Sequence, residues 1–218
     1  MMSLTAADGH EFKTFEAGNV NAPRGLVVVQ EIFGVNAHMR AVSERLAGFG
    51  YRVLSPALFD RAAPDTELGY TQEDMKKGVA LRAKIPEAAV LADLEACAAA
   101  FGGKPVGIIG YCWGGSLAWL AATKSHSFKA ASGWYGSGIA ASKDAVPHCP
   151  VQLHFGEADI GIPMSDVAAI KAAQPGVEIF TYPGAQHGFG CEERPSYSAK
   201  DNELAELRSL AFFAEHLR

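Results

Sequence analysis

Gly110-Tyr111-Cys112-Trp113-Gly114-Gly115 stands between an apolar run at 106–109 and a stretch of small residues, Ser116-Leu117-Ala118-Trp119-Leu120-Ala121-Ala122. This spacing reads as strand, tight turn and helix. Glycines two positions before and after a central residue let strand and helix close around a strained bend. The pattern is G-x-S-x-G with cysteine in the serine position. Such a turn aims its central side chain out of a sheet, and the following helix N-terminus favours an anionic sulfur. Cys112 is therefore read as a nucleophile, the plainer alternative being a small hydrophobe buried in a Gly-rich turn. Cys97 lies on the apolar side of a helix without such a turn and is read as core.

Outward from this turn, strands and helices alternate. Asp8-Gly9 marks an N-terminal hairpin. A continuous apolar run at 26–30 has the form of a strand buried on both faces, and a second buried strand is expected over 51–55. Further strands are expected over 130–135, 151–155 and 177–182. Helices are expected over 38–49, near 72–83, over 86–101, from Gly114, from Pro163, and at the chain's end, where Leu204, Leu207, Leu210, Phe213 and Leu217 recur at helical spacing. The alternation implies an α/β fold with a mostly parallel central sheet and helices on both faces. Ligand sites in such sheets lie at the carboxyl ends of the strands, so functional residues should directly follow strands.

The 218 residues suit one domain spanning 1–218. Net charge is −5 with no Lys/Arg run, which excludes the basic footprint of a nucleic-acid binder and a polybasic membrane anchor. No secretory signal is visible, and the uncharged stretch 105–123 carries four glycines, so it is not read as a membrane span. Cys97, Cys112, Cys149 and Cys191 form no C-x-x-C and read as reduced cytoplasmic thiols. No Gly-rich phosphate loop follows a strand.

A thiol nucleophile needs a base, and the base an orienting acid. His187, in Gly184-Ala185-Gln186-His187-Gly188-Phe189, follows the strand at 177–182, where the topology wants it. His154 falls inside a strand and reads as a packed, hydrogen-bonded histidine. His216 sits near a helix C-terminus, where a charge is favoured for ordinary reasons. Asp159 follows the strand at 151–155 in Gly156-Glu157-Ala158-Asp159, with Glu157 a competitor and a turn or cap role its alternative. The order Cys112, Asp159, His187 is that of the α/β-hydrolase fold. Glu31, directly after the strand at 26–30, places another carboxylate on the same edge.

Taken together, Gln30-Glu31-Ile32-Phe33-Gly34-Val35-Asn36-Ala37, the cysteine turn, Asp159 and the His187 loop resemble the dienelactone hydrolase family. The resemblance runs from about residue 21 to the last helix. It implies a carboxylic-ester or lactone hydrolase without cofactor or metal, acting on a small-molecule substrate as a monomer or weak homo-oligomer. It makes Cys112 the nucleophile, His187 the base, Asp159 its orienter, and Glu31 the acid that contacts the resting thiol. The Ile32 and Trp113 amides would form the oxyanion hole. One of the family's two carboxylate-binding arginines falls, by spacing, near Lys76; the other falls at Cys191, with Arg82 and Arg194 nearby as substitutes. Phe33, Trp134, Tyr135 and Phe189 are expected to line an apolar pocket, core packing being their alternative. Competing functions are acyl transfer or thioester cleavage on the same triad, and ligand binding without catalysis on the same fold. A metal site from His187 and Cys191 lacks any supporting motif.

Overall fold

The computed structural model describes residues 1–218. Met2–Thr5 (β1) and Glu11–Ala17 (β2) alternate exposed and covered residues, as strands with one wet face must, and Gly9 turns between them at φ +84°. Gly25–Val29 (β3), Arg52–Pro56 (β4), Val106–Tyr111 (β5), Ala130–Trp134 (β6) and Val151–Gly156 (β7) are buried at every position. Glu178–Tyr182 (β8) closes the far edge, and the strand order is β1-β2-β4-β3-β5-β6-β7-β8. β1–β2 and β2–β4 pair antiparallel, and every other pair is parallel.

The helices are Ala37–Ala47 (α1), Gln72–Arg82 (α2), Glu87–Ala99 (α3), Trp113–Lys124 (α4), Met164–Ala173 (α5) and Ala199–His216 (α6). Two glycines of β5 show how they divide. A Cβ on Gly107 would strike Phe213 of α6, whereas one on Gly110 would strike the α4 backbone at Gly114. α1 is tied to α6 by Arg45 Nε donating to Glu206 Oε2 at 2.7 Å, and α3 packs against α4, so helices cover both faces. The helix expected over 38–49 stops at Ala47. Gly48 caps it, and Gly50, at φ +89°, turns the chain into β4 and leaves Phe49 exposed. No helix is long and apolar enough to cross a membrane.

His154, in the middle of β7, is wholly buried and fully partnered. Its Nδ1 meets the Tyr182 hydroxyl at 2.7 Å, and its Nε2 meets Gln152 Oε1 at 2.9 Å and Ser209 Oγ at 3.1 Å. Burial pushes its pKa down to about 3, and that of His38 on α1 down to about 4. Above the ordinary histidine pKa both are neutral, folded or unfolded. Below it only the unfolded chain takes up these two protons, so stability falls as pH drops from about 6.5 toward 4. Denaturant midpoints measured across that window should decline, and His154→Gln should flatten the slope by about 1.4 kcal/mol per pH unit.

Candidate active site

Cys112 links β5 to α4 with φ +55°, ψ −113°, a conformation few non-glycine residues adopt. The neighbouring glycines make the turn possible. A Cβ on Gly110 would lie 1.9 Å from Gly114 O, and one on Gly114 would lie 2.3 Å from Val29 O. The Cys112 amide donates to Trp134 O at 3.0 Å, and its carbonyl accepts from the Gly115 and Ser116 amides, which pins the bend from both sides. The side chain emerges half-buried at the carboxyl edge of the sheet.

Asp159 and His187 reach the same point from the loops after β7 and β8. These loops touch: Ala158 N donates to Ala185 O at 2.9 Å, and a Cβ on Gly156 would strike Ala185 O. Asp159 Oδ2 lies 2.7 Å from His187 Nδ1, while Oδ1 accepts from the Gly161 amide at 2.8 Å. His187 Nε2 stands 3.2 Å from Cys112 Sγ. Burial disfavours a charge on His187, but hydrogen bonds to Asp159 and Cys112 outweigh it and raise its pKa to about 10. Glu157 is exposed and accepts from Thr181 Oγ1 instead.

Glu31 follows β3 at the same edge and is completely buried. The contact with the resting thiol expected for it is not made, since Cys112 Sγ faces His187 and neither Glu31 oxygen has a hydrogen-bond partner. Its nearest cation is Arg194, with Nη1 3.8 Å from Oε1. The amides of Ile32 and Trp113 are not engaged in backbone hydrogen bonds. α2 comes so close to Ile32 that a Cβ on Gly78 would lie 1.9 Å from Ile32 O.

A cavity of about 410 Å³ opens beside His187, walled by Tyr70, Met75, Gln186, Arg194 and Ser196 among others. Several residues expected to bind substrate stand elsewhere. Lys76 is exposed and does not line the cavity, because α2 packs through Gly78, against Ile32, and Leu81, which leaves residue 76 on its outer face. Trp134 and Phe189 stack on each other at 5.6 Å in the core, with Trp134 Nε1 donating to Ser209 Oγ. Phe33 and Tyr135 are also buried, but they back the site: Tyr135 sets its ring edge-on to His187 at 5.2 Å, and Phe33 lies 4.5 Å from Tyr70. Arg82 lies off the cavity, beside Trp113 and Leu117. Tyr70 had no signal in the sequence, since it lies in a patternless loop. Asn36 fixes it there by donating to the Leu68 carbonyl and the Tyr70 hydroxyl.

Residues 12–217 match the model of the dienelactone hydrolase family. The chain is 33% identical over 225 residues to a carboxymethylenebutenolidase of Pseudomonas putida, covering 98% of this chain and 95% of its relative. It is 39% identical over 195 residues to a Synechocystis protein named "Putative carboxymethylenebutenolidase", covering 80% of this chain and 79% of the other. A Klebsiella pneumoniae crystal structure described as "Putative Dienelactone Hydrolase" superposes with a TM-score of 0.82 at 31% identity, over 98% of both chains.

Proposed function

Because the chain belongs to the dienelactone hydrolase family and is a hydrolase of ester and lactone bonds, we propose that it works through a thioester on Cys112 and favours small enol lactones or esters bearing a carboxylate. The observation that carries this reading is the line Asp159–His187–Cys112, with contacts of 2.7 and 3.2 Å at the carboxyl edge of the sheet. Cys112 Sγ gives its proton to His187 Nε2, 3.2 Å away, and adds to the carbonyl carbon, and the free Ile32 and Trp113 amides receive the oxyanion. Collapse breaks the carbon–oxygen bond, and the leaving oxygen takes the Nε2 proton of His187, which its high pKa keeps in place. Water then attacks the thioester and gives a proton to His187. The carboxylic acid departs and the sulfur is regenerated.

The preference for an anion rests on Arg194. Its side chain is mostly buried yet lines the cavity beside His187, and its ionic neighbour, Glu31, is 3.8 Å away. The planar fork is thus left open to a substrate carboxylate, the task the sequence suggested for Lys76. p-Nitrophenyl acetate, a neutral enol lactone and a carboxylated dienelactone form the test. The carboxylated lactone should be turned over best, and Arg194→Ala should raise its KM about 10- to 100-fold. The same variant should leave p-nitrophenyl acetate hydrolysis nearly unchanged. Turnover of the two neutral substrates alone would keep the hydrolase and remove the anionic substrate.

A further inference from the structure

The cavity beside His187 is larger than the reaction above requires. At about 410 Å³ it has the size of sites that take drug-sized ligands, roughly 300–1,000 Å³, and a five-membered lactone with its carboxylate fills only part of it. Two of the side chains walling it are apolar and left uncovered by the fold. Ile160, directly after Asp159, is fully exposed, and Met75, on α2, is 40% exposed. Single exposed apolar residues are ordinary on protein surfaces, and Val20, Phe49 and Val146 are of that kind, away from this cavity. Met75 and Ile160 differ in reaching one cavity from separate parts of the chain, a helix and the loop after β7. α2 buries only Gly78 and Leu81, so Met75 stands on a shallowly seated helix, and its unbranched thioether chain adapts to what it meets.

We propose that Met75 and Ile160 form an apolar mouth that takes an alkyl or aryl substituent on the alcohol side of the substrate. The proposal rests on the hydrolysis read from Cys112, Asp159 and His187. In that reaction His187 Nε2 gives its proton to the leaving oxygen, so the alcohol part of the ester departs along the His187 side of the site. The cavity lies on that side. His187 walls it together with Ala158, Ile160 and Gln186 from the loops after β7 and β8, and Cys112 does not. Arg194 stands in the same wall. The substrate class is therefore an ester or enol lactone whose alcohol part carries a carboxylate for Arg194 and, apart from it, a hydrocarbon group for Met75 and Ile160. Such a group leaves water on the sides that face these two residues, and it covers their exposed surface in turn.

Phenyl acetate and 4-butylphenyl acetate make the test, because the butyl chain leaves the acidity of the phenol almost unchanged and alters only what lies beyond the ring. Covering half of its four carbons should raise kcat/KM about tenfold over phenyl acetate. In Ile160→Ser, and in Met75→Gln, which keeps a good helix former on α2, that ratio should fall to about threefold or less. Each protein is its own reference, so a general loss of activity or fold does not imitate the result. Binding of phenol and 4-butylphenol to the Cys112→Ala protein, followed by ligand NMR, should give the same ratio without turnover. Equal affinity for the two phenols overturns the mouth, as does a ratio unchanged in both variants. Tighter binding of 4-butylphenol without Cys112-dependent hydrolysis of either acetate upholds the mouth and removes the thioester reaction instead. A rise from p-nitrophenyl acetate to p-nitrophenyl hexanoate with none from phenyl to 4-butylphenyl acetate places the hydrocarbon group on the acyl side and overturns the assignment.

Discussion

Cys112→Ala should lower kcat/KM for every ester and lactone by about 10,000-fold or more, with no loss of fold. The size follows from the chemistry: without the sulfur there is no covalent intermediate, and His187 has nothing to activate in the first step. The fold should survive because the turn depends on its neighbours. Gly110 and Gly114 clear the backbone contacts, and the bend is held by Cys112's own amide and carbonyl, which alanine keeps. Alanine also bears the left-handed φ of +55° no worse than cysteine does. Thermal unfolding alongside initial rates separates the two effects. Wild-type rates in a well-folded Cys112→Ala protein would remove the nucleophile.

Asp159→Asn should lower kcat by roughly 10,000-fold with little change in KM. The carboxylate accepts twice, from the Gly161 amide at Oδ1 and from His187 at Oδ2. Asparagine keeps the first bond through its carbonyl, so the loop between β7 and α5 stays in place. Its amide then faces His187 Nδ1 as a donor and forces the proton onto Nε2. The imidazole also loses the acid that, with Cys112, raises its pKa to about 10. The pH–rate profile gives a second readout. In the wild type, turnover should fall as pH rises through about 10, because a neutral His187 cannot protonate the leaving oxygen. Asp159→Asn should move that limb downward. An unmoved limb with normal kcat would assign Asp159 to the loop alone.

The sheet and the residues brought together at its edge were legible in the sequence for a physical reason. Buried parallel strands must be continuously apolar, and a strand-to-helix turn this tight must be glycine-lined, so both leave local signatures. The Cys112, Asp159 and His187 side chains each follow a parallel strand, the half-exposed edge strand β8 included, and order along the chain was enough to group them. The wall of the site was not legible. Trp134 and Phe189 carry the same apolar signature whether they face a ligand or a core, and the core took both. Lys76 was placed by counting along the chain, but the rotation of α2 is set by the approach of Gly78 to Ile32, a contact 46 positions apart. Arg194 reaches Glu31 only because its loop folds back over Gly188, at φ +75°.

The central claim is that the reaction passes through Cys112 as a thioester. It is tested most directly by mixing enzyme with p-nitrophenyl acetate, quenching in acid within the first turnovers, and weighing the intact chain and its peptides. The account predicts one acetyl group per chain, carried on the peptide containing Cys112, formed together with the first equivalent of p-nitrophenol and absent in Cys112→Ala. Steady hydrolysis with no adduct on Cys112, or an acetyl group on another residue that turns over at the catalytic rate, would contradict it.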